Sequence, residues 1–96
     1  MVYYKKSEHI FVRFEKSRRK GKMYDAILKP QRGVKYIRVP FGDTKYQNFR
    51  DITGLNLYPH LIHGNPDRRV KYRYRHIKHI KNDYFSPSYF SYYFLW

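Results

Sequence analysis

The chain has no cysteine, so disulfide frameworks and thiolate-based zinc sites are excluded. It has few acids: 7 Asp and Glu stand against 21 Lys and Arg, a formal charge of +14 with a pI near 10.1. It lacks long apolar runs, so neither a signal peptide nor a membrane span is expected, the latter needing about 20 residues as a helix. Internal repeats and linkers are missing too, and 96 residues make a single domain, 1–96, with one modest core. Gly33, Gly42 and Gly54 stand alone and form no phosphate-cradling loop, and no Ser/His/Asp order is present. The expectation is a protein that is not an enzyme and carries no cofactor.

What the chain does have is positive charge and rings. Aromatic residues make up 21% of it, with 12 Tyr and 7 Phe. A disordered basic tail would be poor in aromatics, so this composition points to a folded domain. Self-repulsion at this charge disfavours a compact state unless a polyanion neutralises it. Nucleic acid is the first partner class, double-stranded DNA above RNA; an anionic membrane is the competitor and is not favoured.

The pattern predicts an α+β fold: an N-terminal antiparallel meander, then loops, a basic helix and a short aromatic C-terminal helix. Residues 9 to 15 alternate, with Ile10, Val12 and Phe14 inward. Residues 23 to 29 and 34 to 39 supply two more strands, separated by the turn Pro30-Gln31-Arg32-Gly33. Pro40 and Gly42 should stop the third strand, with Phe41-Gly42-Asp43 as a turn; a short strand or helical turn is expected over 45 to 52. Asn65-Pro66-Asp67 is a helix start: Asn can cap, Pro suits the first position and Asp favours the positive end of the dipole. The helix is read as 66 to 80, with Val70, Tyr74 and Ile77 inward. Ser86-Pro87 repeats the signal for a helix over 87 to 94. The tail from Tyr84 to Trp96 has eight aromatics and no charged side chain. It should complete a core with Ile10, Val12, Phe14, Ile27, Leu28 and Ile37; it is also a candidate homodimer contact.

Two segments carry the charge. Residues 68 to 81 hold seven Lys and Arg with interleaved tyrosines. Arg68, Arg69, Lys71, Arg73, Arg75 and Lys78 are candidate phosphate contacts, Tyr72 or Tyr74 could pack on sugar or base, and His63 and His76 could make hydrogen bonds or phosphate contacts. The loop 16 to 22 adds Arg18, Arg19, Lys20 and Lys22 beside Lys16. The pairs His60/His63 and His76/His79 have a spacing that could hold zinc, but cations surround the second pair and no metal is expected. Asp25 with Asp43 and Lys45 resembles the short motif of metal-dependent nucleases, in which two carboxylates hold Mg²⁺. The competing role for Asp43 is a turn residue bonding its own backbone.

Several short motifs occur in order: Phe41-Gly42-Asp43, Asp51-Ile52-Thr53, His63 with Asp67-Arg68-Arg69, Tyr72, Arg75-His76, and Ser86-Pro87-Ser88-Tyr89-Phe90-Ser91 closing on Phe94-Leu95-Trp96. Over residues 34 to 96 this order resembles a family of small basic proteins of large nucleocytoplasmic DNA viruses. The resemblance implies a DNA-binding protein associated with the viral genome, located in the virion and the cytoplasmic viral factory, with Arg68, Arg69, Tyr72, Arg75, His76 and the closing Leu95-Trp96 as the matching positions. The expected function is binding of double-stranded DNA without sequence specificity, for genome packaging or organisation. The alternatives are a Mg²⁺-dependent nuclease, an RNA-binding module and a virion structural protein.

Overall fold

The computed structural model describes residues 4–80 and 82–96. The architecture is α+β: β1 (Tyr4–Lys5), β2 (His9–Lys16), β3 (Lys22–Pro30), β4 (Ile37–Asp43), α1 (Pro66–His76), β5 (Tyr84–Phe85) and α2 (Pro87–Phe94). Strands β2, β3 and β4 form the expected antiparallel meander. The short β1 and β5 pair antiparallel in a separate ladder.

The alternation in β2 is interrupted. Phe11 pairs with Leu28, whereas Arg13 pairs with Ile27, so Val12 is an extra residue, a β-bulge. The bulge resets which side chains face the core. Phe11 and Phe14, three residues apart, come together with ring centroids 4.7 Å apart. Ile10 and Val12, expected in the core, are instead exposed. Phe14, Leu28 and Ile37 do join the core cluster, while Ile27 is buried outside it.

β4 starts at Ile37, later than expected, because Val34 and Tyr36 are exposed. It then runs through Pro40 and Gly42 to Asp43. Pro40 does not stop it because β4 is an edge strand, whose outer N–H groups need no partner. Gly42 has φ +74°, and a Cβ there would sit 3.0 Å from both Leu95 Cδ1 and Met23 Sδ. The absent side chain is what lets Leu95 settle on the strand. Over 45 to 52 there is neither strand nor helix, only a bridge between Asn48 and Ile62.

α2 covers the sheet. The Ser86 side chain accepts from the Tyr89 N–H and Pro87 opens the helix, as the sequence predicts. Phe90, Leu95 and Trp96 are buried with Met23, Tyr24, Leu28, Val39 and Phe41. Tyr24 ties the long loop to this core: its hydroxyl donates to Asp51 and accepts from the Leu57 N–H. Burial, and then the Asp51 carboxylate, push the Tyr24 hydroxyl up to about 12.

Asp25 anchors the basic turn that joins β2 to β3. Its buried carboxylate accepts from Ser17 Oγ at 2.6 Å, the Arg18 N–H at 3.2 Å and Arg38 Nη1 at 3.0 Å. Arg38 also bonds Glu15, which Arg13 reaches as well. Asp25→Ala would leave these donors short of an acceptor at a part-buried site. The expected result is a loss of about 2–3 kcal/mol in unfolding free energy, read by urea denaturation. A change under about 0.5 kcal/mol would show that water replaces the carboxylate.

Candidate nucleic-acid interface

α1 begins where the sequence predicts. Asn65 Oδ1 accepts from the Asp67 and Arg68 N–H groups, Pro66 takes the first position and Asp67 lies in the first turn. The helix ends at His76, short of the expected residue 80, and continues as a 3₁₀ turn over Ile77–His79. Lys81, the last cation of the basic run, lies outside the described residues.

The inward face of α1 corrects the sequence reading. Val70, Tyr74 and Ile77 are 67%, 78% and 52% exposed. The half-buried residues are Arg69, Tyr72, Arg73 and His76, a stripe at helical spacing. Tyr72 stacks on Trp96 with centroids 4.1 Å apart and planes 4° apart, and His76 stacks on Tyr72, also at 4.1 Å.

The two arginines of this stripe serve α2. The last four carbonyls of a helix have no partner within it. Here Tyr92 O accepts from Arg73 Nη1 at 3.1 Å and Tyr93 O from Arg50 Nη2 at 3.2 Å. Phe94 O and Leu95 O accept from the backbone N–H groups of Ile52 and Arg50. Arg69 Nε donates to Trp96 O at 2.6 Å. Three guanidinium groups thus meet the negative end of the α2 dipole, which offsets their mutual repulsion. Arg69 and Arg73 also lie over the rings of Phe49 and Tyr92, at 5.0 and 4.0 Å. Arg50, which the sequence reading did not single out, is the third member of the set.

A cleft of about 660 Å³ opens between the end of β4, the loop after it, α1 and the first turn of α2. Lys22, Arg68, Lys71, Arg75 and His76 line it, and Tyr72, Trp96 and Phe41 are among its aromatic residues. Its single acid, Asp43, uses Oδ1 to accept from the Lys45 N–H at 2.8 Å, as a turn residue bonding its own backbone does. Arg68 Nη1 is held by Gln47 Oε1 at 2.9 Å.

Of the twelve candidate contacts, six meet in this cleft: Lys22, Arg68, Lys71, Tyr72, Arg75 and His76. Arg69 and Arg73 lie behind it, against α2. The basic turn divides. Lys22 joins the cleft, Arg19 and Lys20 are exposed near the tip, and Arg18 borders a second hollow with Arg13, Ile27 and Arg38. Lys78 is exposed in the 3₁₀ turn and does not line the cleft. Asp25 and Asp43 have separate neighbours: Asp25 faces Ser17 and Arg38, and only Asp43 borders the cleft. Tyr46, Gln47, Ser88 and Ser91 line the cleft as well, and sequence reasoning missed them. No local pattern marks these four; the loop after β4 brings in two and α2 the others.

Among the described residues no group of three or more His, Cys, Asp or Glu could hold a metal ion. His63 positions the helix start instead. Its Nδ1 accepts from the Asn65 N–H at 2.9 Å, which assigns the proton to Nε2, and Nε2 is buried near the Trp96 ring without a partner among the described residues. Burial, then Arg68, hold the His63 imidazole below its ordinary value; burial, then Arg75 and His79, do the same for His76. A lowered folded-state pKa means that stability is fully present above about pH 6.5 and is lost as pH falls through the folded pKa. The melting temperature is therefore expected to fall between pH 7 and 5, and the double variant His63→Phe, His76→Phe should flatten that slope, read by circular dichroism. An unchanged slope in the variant would assign the loss to other groups.

The chain matches no protein family, no curated protein and no solved structure with which it was compared. Among the described residues no helix is long and apolar enough to cross a membrane.

Proposed function

We propose that this protein binds double-stranded DNA through its phosphates, with little preference for sequence. The observation that carries the reading is the cleft: four Lys and Arg side chains, Lys22, Arg68, Lys71 and Arg75, from two distant parts of the chain, around one acid that is already engaged. An ordinary solvated face would mix signs. Arginine forks match phosphate oxygens, and lysine supplies point charge. Arg19 and Lys20 on the neighbouring turn extend the positive surface. The resemblance to small basic proteins of large DNA viruses adds the context of packaging or organising a viral genome.

The energetic source is release of counterions from the duplex. Six engaged cations correspond to a log–log salt slope of about −5, or about a thousandfold loss of affinity between 50 and 200 mM salt. Fluorescence anisotropy of labelled duplexes of unrelated sequence tests this. Similar affinities with a steep common slope support the reading; a flat salt dependence, or strong binding to one sequence alone, overturns it.

A further inference from the structure

The same cleft has a feature that phosphate binding alone does not use. Tyr46 lies on its rim, 68% exposed, and among the described residues neither a ring contact nor a hydrogen bond from its hydroxyl engages it. The other cleft aromatics are occupied. Tyr72 is sandwiched between His76 and Trp96, and Phe41 is packed against Phe14, Tyr24 and Phe90. Tyr46 is also well supported. Its N–H bonds Asp43 O at 3.2 Å, and two residues on Asn48 is buried, its N–H bonded to Leu61 O at 2.7 Å and its side-chain amide directed at Met23 Sδ. The loop therefore presents a large ring to the opening on a short, anchored span.

The remaining lining is polar. Gln47 places its amide at the rim, where its oxygen already holds Arg68, and Ser88 and Ser91 add hydroxyls from α2. A site for a bare inorganic anion has no use for an exposed ring, and a site for an apolar ligand has none for four cations. The volume, about 660 Å³, is of the size of small-ligand sites, and the cleft is open on one side. A duplex, whose major groove alone is about 12 Å across, does not fit inside it.

We propose that this cleft receives one unpaired nucleotide of a nucleic-acid strand, its base stacked on Tyr46 and its phosphate held by Lys22, Lys71 and Arg75. Stacking is indifferent to base identity because every base has a π-face, so the site tolerates any sequence. The inference rests on the nucleic-acid reading above and sharpens it: duplex phosphates lie along the cationic rim, and a frayed, overhanging or gapped position enters the cleft.

The test compares a blunt labelled duplex with the same duplex carrying a short single-stranded overhang, at one salt concentration, for the wild-type chain and for Tyr46→Leu. The expected result is about tenfold tighter binding of the overhang by the wild type, with the two affinities brought together in Tyr46→Leu. The ring is exposed, so the variant should fold. Equal affinities for both duplexes in the wild type overturn this inference and leave the duplex reading standing, as does a preference that survives in Tyr46→Leu. Failure to bind either duplex overturns both.

Discussion

Replacing Phe90 by alanine is expected to remove about 3–5 kcal/mol from the unfolding free energy. Phe90 is 1% exposed, and six aromatic rings, Phe11, Phe14, Phe41, Phe85, Tyr89 and Phe94, have centroids within 6.1 Å of its own. It is the point at which β2, β4, β5 and α2 meet. The loss combines the transfer of a buried ring, the cavity left among stiff neighbours and the edge-to-face contacts. Small domains are stable by only about 5–15 kcal/mol, so this one change should remove a large share of the total. Urea denaturation measures it. Tyr74→Ala is the informative control: at 78% exposure its effect should stay within about 0.5 kcal/mol. A large effect of Tyr74→Ala would place that residue in the core, where the helical spacing alone puts it, and would contradict the observed face of α1.

The second large effect concerns charge. The double variant Lys71→Ala, Arg75→Ala is expected to reduce the log–log salt slope for duplex binding by about 1.8, two phosphate contacts at about 0.9 each, and to weaken binding at 0.1 M salt by about fiftyfold. Both side chains line the cleft and neither has an acid partner, so little else should change. The loss should be equal across unrelated sequences, because phosphates carry no sequence information. Arg69→Ala and Arg73→Ala should behave differently. Their guanidinium groups bond Trp96 O and Tyr92 O, so these substitutions should lower stability more than they lower the slope. If Arg69→Ala reduced the slope as strongly as the cleft pair, the division of α1 into a docking face and a cleft face would fail.

Signals in the sequence are legible where the physics is local. Asn65 and Ser86 cap helices because a side-chain oxygen reaches an N–H two or three residues on, within a few ångströms of its own backbone. The meander followed from alternation and turn residues, and the aromatic tail from the need of a short chain to bury its large side chains. Faces were harder. In β2 the bulge at Val12 shifts the alternation by one residue, and nothing in Ile10-Phe11-Val12-Arg13-Phe14 announces it. In α1 two helical stripes compete, and Val70/Tyr74/Ile77 is the more hydrophobic. The stripe containing Arg69, Tyr72 and Arg73 faces inward because Trp96 stacks on Tyr72 and the end of α2 offers carbonyls that only donors can satisfy.

The sequence by itself determined the charge, 21 cations against 7 acids, the three-stranded meander and the caps of both helices, and with them the proposal of a polyanionic partner. Only the tertiary structure decided which cations are available to it. Arg68, Arg69, Arg73 and Arg75 are equivalent as letters in a basic run. Folding sends two of them to the carbonyls of α2 and leaves two on the cleft with Lys22, more than forty residues earlier in the chain. A charge is counted from composition, but whether its hydrogen-bonding capacity is already used depends on which backbone groups lie beside it once distant segments have packed together.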